Sequence, residues 1–178
     1  MNIKFWTHKF WSDFGYWLRS SPYLIRRLIS LVDIAEADTI IELGAWFWYV
    51  TEHILAKKRK DTRLIVVEND HDRFVELSLK YWEMCEIYEM SATLIGSIIE
   101  PETVDIVIST LPLGSISPLW VDHILSAAVG VLKNNGRFIQ YQYALQNIKD
   151  IKKYFIIDKI YFEPRNILPA FIYKAHKK

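Results

Sequence analysis

Four runs of apolar residues constrain this chain more than anything else in it: Thr39-Ile40-Ile41-Glu42-Leu43, Arg63-Leu64-Ile65-Val66-Val67-Glu68, Val104-Asp105-Ile106-Val107-Ile108-Ser109 and Arg137-Phe138-Ile139-Gln140-Tyr141. None alternates strictly, so each reads as a strand covered on both faces, which means a parallel sheet sandwiched between helices. The intervening segments carry helix signals. Ser21-Pro22 pairs an N-cap serine with a first-turn proline ahead of Leu24, Ile25, Leu28, Ile29 and Val32, a helix expected to end near Asp33. Asp70 or Asp72 caps a helix through Phe74, Leu77 and Leu79, and a further helix runs from about Pro118 to Leu132. Glu86-Ile87-Tyr88-Glu89-Met90 is a weaker strand, and Asn134-Asn135-Gly136 reads as a turn. Two late strands, Tyr154 to Phe162 and Ala170 to Lys174, have no helix between them and form an antiparallel hairpin. The expected fold is α/β: a three-layer, mostly parallel seven-stranded sheet with a C-terminal antiparallel hairpin. Flavodoxin-like and dinucleotide-binding folds share the first half, but the terminal hairpin argues against them.

At 178 residues one domain is expected, with residues 1–35 a helical segment packed on the ligand-binding edge and residues 36–178 the α/β unit. A formal net charge of +1 gives no global attraction for nucleic acid. The single cysteine, Cys85, excludes an internal disulfide. His8, His53, His71, His123 and His176 have no metal-ligand spacing, so no metal is expected. No secretory pattern and no membrane-spanning apolar run is visible, and a cytoplasmic location is expected, with peripheral contact at the inner membrane face. That contact is suggested by Ile3, Trp6, Phe10, Phe14 and Trp17, spaced as a helical stripe and accompanied by Lys4, Lys9, Arg19, Arg26 and Arg27. Such a stripe lies on an anionic bilayer or packs over the sheet edge.

In open α/β sheets ligands bind beyond the carboxyl ends of the strands. That edge holds Glu42-Leu43-Gly44-Ala45, Val67-Glu68-Asn69-Asp70, Met90-Ser91-Ala92 and Ser109-Thr110-Leu111-Pro112-Leu113-Gly114. The first two segments resemble the cofactor motifs of class I S-adenosylmethionine (SAM) methyltransferases. The Leu-Pro-Leu segment, Gly136-Arg137-Phe138-Ile139-Gln140-Tyr141, Arg165-Asn166-Ile167-Leu168-Pro169-Ala170 and Ser20-Ser21-Pro22-Tyr23-Leu24 resemble the small bacterial phospholipid N-methyltransferases, which are related to ribosomal RNA adenine dimethylases. The resemblance implies SAM as cofactor, held by Glu42, Gly44, Ala45, Glu68, Ser91 and Ser109, with the Glu68 carboxylate taking both ribose hydroxyls. It implies a lipid amine of the phosphatidylethanolamine kind, or another small molecule, as substrate. Leu111, Pro112 and Leu113 would shape the reacting site, and the segments suggest no general base.

Several positions depart from the family pattern toward large side chains. Trp46 and Trp48 stand where the family has glycines, Tyr49 is bulky, and Met90-Ser91-Ala92 replaces Gly-Asp-Ala. Tyr16 and Trp17 take the place of smaller residues. Tyr16, Trp17, Trp46, Trp48, Tyr49 and Met90 are therefore expected to line the pocket and weaken SAM binding. Two alternatives follow: a binding protein whose pocket has been rebuilt with aromatics, by selection or by design, or a folded scaffold whose pocket is plugged.

Overall fold

A computed structural model describes residues 21–45 and 48–178. Tyr16 and Trp17, the stripe from Ile3 to Trp17, and Trp46 lie outside the described residues. The strands are β1 (Thr39–Leu43), β2 (Arg63–Glu68), β3 (Glu86–Glu89), β4 (Val104–Ser109), β5 (Leu132–Gln142), β6 (Phe155–Glu163) and β7 (Ala170–Lys177). The helices are α1 (Pro22–Ser30), α2 (Tyr49–Leu55), α3 (His71–Tyr81), α4 (Pro118–Val131) and α5 (Ile148–Tyr154), with a 3₁₀ helix at Ala92–Ser97. One seven-stranded sheet runs in the order β3-β2-β1-β4-β5-β7-β6. Its first five strands are parallel, and β7 is antiparallel to both β5 and β6.

The two faces of the sheet bury different layers. On one, Ile41, Val107 and Phe138 pack with Val121, Leu125 and Ala128 of α4. On the other, Ile40, Ile108 and Ile139 pack with Leu24 and Leu28 of α1, Ile54 of α2 and Leu77 of α3. This is why the strands are apolar on both sides, as their composition predicts. Among the described residues no helix is long and apolar enough to cross a membrane.

Local departures have local causes. Asp70, not Asp72, caps α3, accepting a hydrogen bond from the Arg73 amide. The helix α1 stops at Ser30 and the third strand at Glu89. The Asn134-Asn135-Gly136 segment is a bulge inside β5 rather than a turn before it: Val104 pairs with Leu132, but Ile106 already pairs with Arg137. Gly136 permits this, because a Cβ there would sit 2.7 Å from Leu132 Cδ2 and 2.9 Å from the Lys133 carbonyl oxygen. Helix α5 is absent from the sequence reading: with only seven residues, one of them fully buried, it has too little apolar periodicity to register.

The β6–β7 turn is tied to the start of α1. Asn166 Oδ1 accepts the Ser21 amide at 2.6 Å, and Asn166 Nδ2 donates to the Leu168 carbonyl at 2.8 Å. The Glu163 carboxylate accepts Arg165 Nε at 2.7 Å and Nη2 at 2.8 Å, which holds it below the usual carboxylate range.

Candidate active site

The register brings the ends of β2, β1, β4 and β5 to one edge. Leu43 pairs with Val67 on one side and Ser109 on the other, and Ser109 pairs with Gln140. Glu42, Glu68 and Ser109 thus stand on three adjacent parallel strands, as expected from the βα alternation.

Just past β1 the backbone turns sharply. Gly44 has φ +77°, a conformation L-residues rarely adopt, and a Cβ on it would lie 2.6 Å from Leu111 Cδ2. Its amide donates to the Val67 carbonyl at 2.9 Å, its carbonyl accepts the Thr110 hydroxyl, and the Thr110 amide donates to the Leu43 carbonyl at 3.0 Å. The glycine turn and the Leu-Pro-Leu segment are therefore built against one another. Ala45, buried, follows in the core layer shared with α1.

Two carboxylates mark this edge. Glu68 is buried, and its Oε1 accepts the Asn69 and Asp70 amides, both at 2.9 Å. Those two bonds orient the group, and Oε2 stays buried without a partner. Burial raises the Glu68 pKa against the pull of the amides. Glu42 is fully buried; its Oε2 accepts the Thr51 hydroxyl at 2.7 Å and its Oε1 has no partner. Burial pushes its pKa up to about 8.

Between the ordinary value of 4.5 and about 8, folded Glu42 holds a proton that the unfolded chain has released. Stability is therefore full below 4.5 and declines as pH rises toward 8, by up to about 1.4 kcal/mol per pH unit. Glu42→Gln keeps the neutral shape and the acceptor for Thr51, so its melting temperature should lose this dependence. Melting curves of the two proteins recorded from mildly acidic to mildly alkaline buffer check this; parallel pH dependences would refute it.

A second polar group lies on the α4 face. Gln140 is buried, and its Nε2 donates to the carbonyls of Leu111 at 3.0 Å and Tyr141 at 2.7 Å. Two carbonyls around one end identify that end as the NH2, so Oε1 is the acceptor, and it is buried without a partner. The neighbouring Ser109 hydroxyl, also buried, has none either. Gln142 Nε2 donates to the same Leu111 carbonyl at 3.2 Å, as does the Leu113 amide at 2.8 Å. The Leu111 carbonyl, with three donors, has no capacity left, whereas among the described residues Ser109 Oγ and Gln140 Oε1 are buried side-chain acceptors without partners. Leu113 is buried, Leu111 half-buried and Pro112 exposed. Gln140 and Gln142 escape motif reading because strand residues show their partners only once the register is known.

The remaining predicted residues are placed as follows. Ser91 Oγ accepts the Thr93 amide at 3.3 Å and pairs with the Thr93 hydroxyl at 2.9 Å, capping the 3₁₀ helix. Half-buried Met90 donates its amide to the Glu68 carbonyl at 3.0 Å. Trp48 and Tyr49 are half-buried against the α1–α3 layer, their ring centroids 6.3 Å apart, and Lys80 Nζ lies 5.1 Å from the Trp48 ring.

No protein-family model matches the chain. In sequence it is similar to an ornithine lipid N-methyltransferase of Singulisphaera acidiphila, 27% identical over 162 residues that span 86% of this chain and 83% of that protein. A 68-residue stretch, 38% of this chain and 26% of the relative, is 37% identical to the ribosomal RNA small subunit methyltransferase A of a Hydrogenobaculum species. In structure it is similar to the N-methyltransferase NodS of Bradyrhizobium japonicum WM9 in complex with S-adenosyl-L-homocysteine, with a TM-score of 0.70, 10% identity and 88% of each chain covered. A TehB-like SAM-dependent methyltransferase of Corynebacterium glutamicum also matches at a TM-score of 0.70 and 10% identity, covering 97% of this chain and 96% of that one.

The chain has the class I SAM-dependent methyltransferase fold. SAM is the cofactor expected with that scaffold, and the described residues fit it at two points. The left-handed Gly44, whose missing Cβ makes room for Leu111, sets the sharp turn at the carboxyl end of β1, and the orphaned Glu68 Oε2 is an oriented acceptor suited to a hydroxyl donor.

Proposed function

We propose that this protein transfers the methyl group of SAM to the amine nitrogen of a lipid headgroup. The observation that carries the reading is the acceptor pair of Ser109 Oγ and Gln140 Oε1, buried and unpartnered beneath the Leu-Pro-Leu segment. A buried acceptor left unmet costs about 1–3 kcal/mol, so such a pair favours a ligand that brings N–H donors. The likeness to an ornithine lipid N-methyltransferase over most of both chains supports a lipid as the bearer of that amine. A net charge of +1 gives little support to a nucleic acid substrate.

Bound SAM supplies a methyl group activated by the sulfonium. The chain's task is then positioning. Glu68, held by the Asn69 and Asp70 amides, would take the ribose, and the Gly44 turn would seat Leu111 beside it. Ser109 and Gln140 would accept the amine N–H bonds, which leaves the nitrogen lone pair facing away from them. Leu111 and Leu113 exclude water and favour the neutral amine, the form with a lone pair to share. Methyl transfer would leave the nitrogen cationic while Ser109 and Gln140 hold its N–H bonds, and the extra proton would pass to solvent once the product leaves the site.

The test is transfer of labelled methyl from SAM to phosphatidylethanolamine and to an ornithine lipid in detergent micelles, with ribosomal RNA as the comparison. Label in the lipid phase and none in RNA is expected. Label in RNA alone would replace this reading by the RNA one.

A further inference from the structure

The turn between β6 and β7 has its polarity inverted. Two polar side chains are buried at it, Asn166 at 6% exposed and Glu163, the last residue of β6, at 2%, while Arg165 reaches Glu163 from the surface. Its apolar ones point outward: Ile167 is 64% exposed and Leu168 39%. An ordinary surface turn shows the reverse, and here the inversion is held in place, because Asn166 bonds Ser21 and Leu168 while Arg165 occupies Glu163.

The neighbouring surface continues the pattern. Gln142 and Phe162 both pair with Phe171, so the segment leaving β5 and the β6–β7 turn emerge side by side. They add Tyr143, Leu145 and Phe162, each between 39% and 57% exposed. Cations flank this tip on tyrosine rings. Arg165 lies 4.7 Å from the Tyr23 ring centroid, and Arg27 and Lys159 both lie 5.0 Å from that of Tyr161. Among the described residues neither Arg27 nor Lys159 forms a salt bridge, whereas the one acid of the turn, Glu163, is already neutralised by Arg165.

We propose that this hairpin tip docks the protein on an anionic lipid bilayer. Ile167 and Leu168 enter the boundary between headgroups and acyl chains, and Arg27 and Lys159 face the anionic headgroups. Aliphatic side chains on a protruding turn, aromatic rings beside them and cations at the rim are the arrangement such an interface selects. The tip also lies at the sheet edge that carries Ser109 and Gln140. A bilayer bound there would present its headgroups to that edge, and in this respect the inference rests on the lipid-amine reading.

The full chain should sediment with vesicles of phosphatidylcholine and phosphatidylglycerol at low salt and be released at high salt. Ile167→Asp with Leu168→Asp should weaken partitioning by about a hundredfold, since two apolar side chains leave the interface. Lys159→Glu should weaken it by about tenfold on anionic vesicles and little on phosphatidylcholine alone. Either variant sedimenting like the unaltered chain, or an unaltered chain that ignores all vesicles, overturns the proposal.

Should the double variant fail to fold, amide hydrogen exchange of the unaltered chain decides. Slowed exchange at residues 164–168 on adding vesicles supports the proposal, and slowed exchange confined to other segments overturns it. Slowed exchange there with a soluble protein fraction, and none with vesicles, overturns it in favour of a protein partner. Methyl transfer to a short-chain lipid below its micelle concentration separates the two readings. If vesicles bind but that transfer is absent, the lipid-amine function fails and the docking surface stands.

Discussion

Glu68→Gln should weaken binding of S-adenosylhomocysteine by about ten- to a hundredfold, the equivalent of one charge-assisted hydrogen bond of roughly 1.5–3 kcal/mol. The glutamine oxygen can still accept the Asn69 and Asp70 amides, so the loop after β2 keeps its shape. What is lost is the second acceptor, since an amide NH2 replaces Oε2, which is buried without a partner in this structure. The variant should be no less stable, because burial already disfavours the charge on Glu68. Calorimetric titration of both proteins reads the ratio directly; equal affinities would remove Glu68 from the site. Trp46→Gly belongs in the same titration and should move the affinity the other way, by restoring the residue the family places after the first strand. Trp48→Gly is a poorer choice, because its indole packs on the α1–α3 layer beneath Lys80.

Gln140→Met should lower the rate of methyl transfer by about ten- to a hundredfold while leaving S-adenosylhomocysteine affinity unchanged. The methionine keeps roughly the volume of glutamine but removes both the Oε1 acceptor and the Nε2 clamp on Leu111. Ser109→Ala isolates the acceptor role, since the Ser109 hydroxyl has no partner in the folded protein and its removal leaves the Leu111 clamp intact. It should lower the rate in the same direction and the melting temperature hardly at all. Rates measured at saturating SAM across a lipid concentration series separate loss of turnover from loss of lipid binding. Unchanged rates in both variants would mean that the acceptor pair does not meet the amine.

Much of the fold is legible in the sequence because its causes are local. A run such as Leu64-Ile65-Val66-Val67 has no hydrophilic face, so it must be covered twice, and only a sheet between helix layers does that. The N-caps at Ser21 and Asp70 depend on residues within one turn. The bulge at Gly136 is different, because Asn-Asn-Gly has the local chemistry of a turn. Pairing with Val104 and Ile106 on β4 draws it into the strand.

The candidate site divides along the same line. By itself the sequence determined that Glu42 and Gly44, Glu68, and Ser109 stand at the carboxyl ends of the first, second and fourth strands, because the order of elements brings strand ends to one edge. It also determined the resemblance that makes SAM the expected cofactor. Only the tertiary structure decided which polar atoms remain without partners there. Ser91, expected to meet the cofactor, caps its own helix, and Gln140 and Gln142 close on Leu111 from a strand distant in sequence. Likewise Ile167 and Leu168 are ordinary apolar residues in sequence and outward-facing ones in the fold. The reason is that hydrogen-bond satisfaction and exposure are properties of pairs brought together by strand register, and register is set by the packing of the whole sheet.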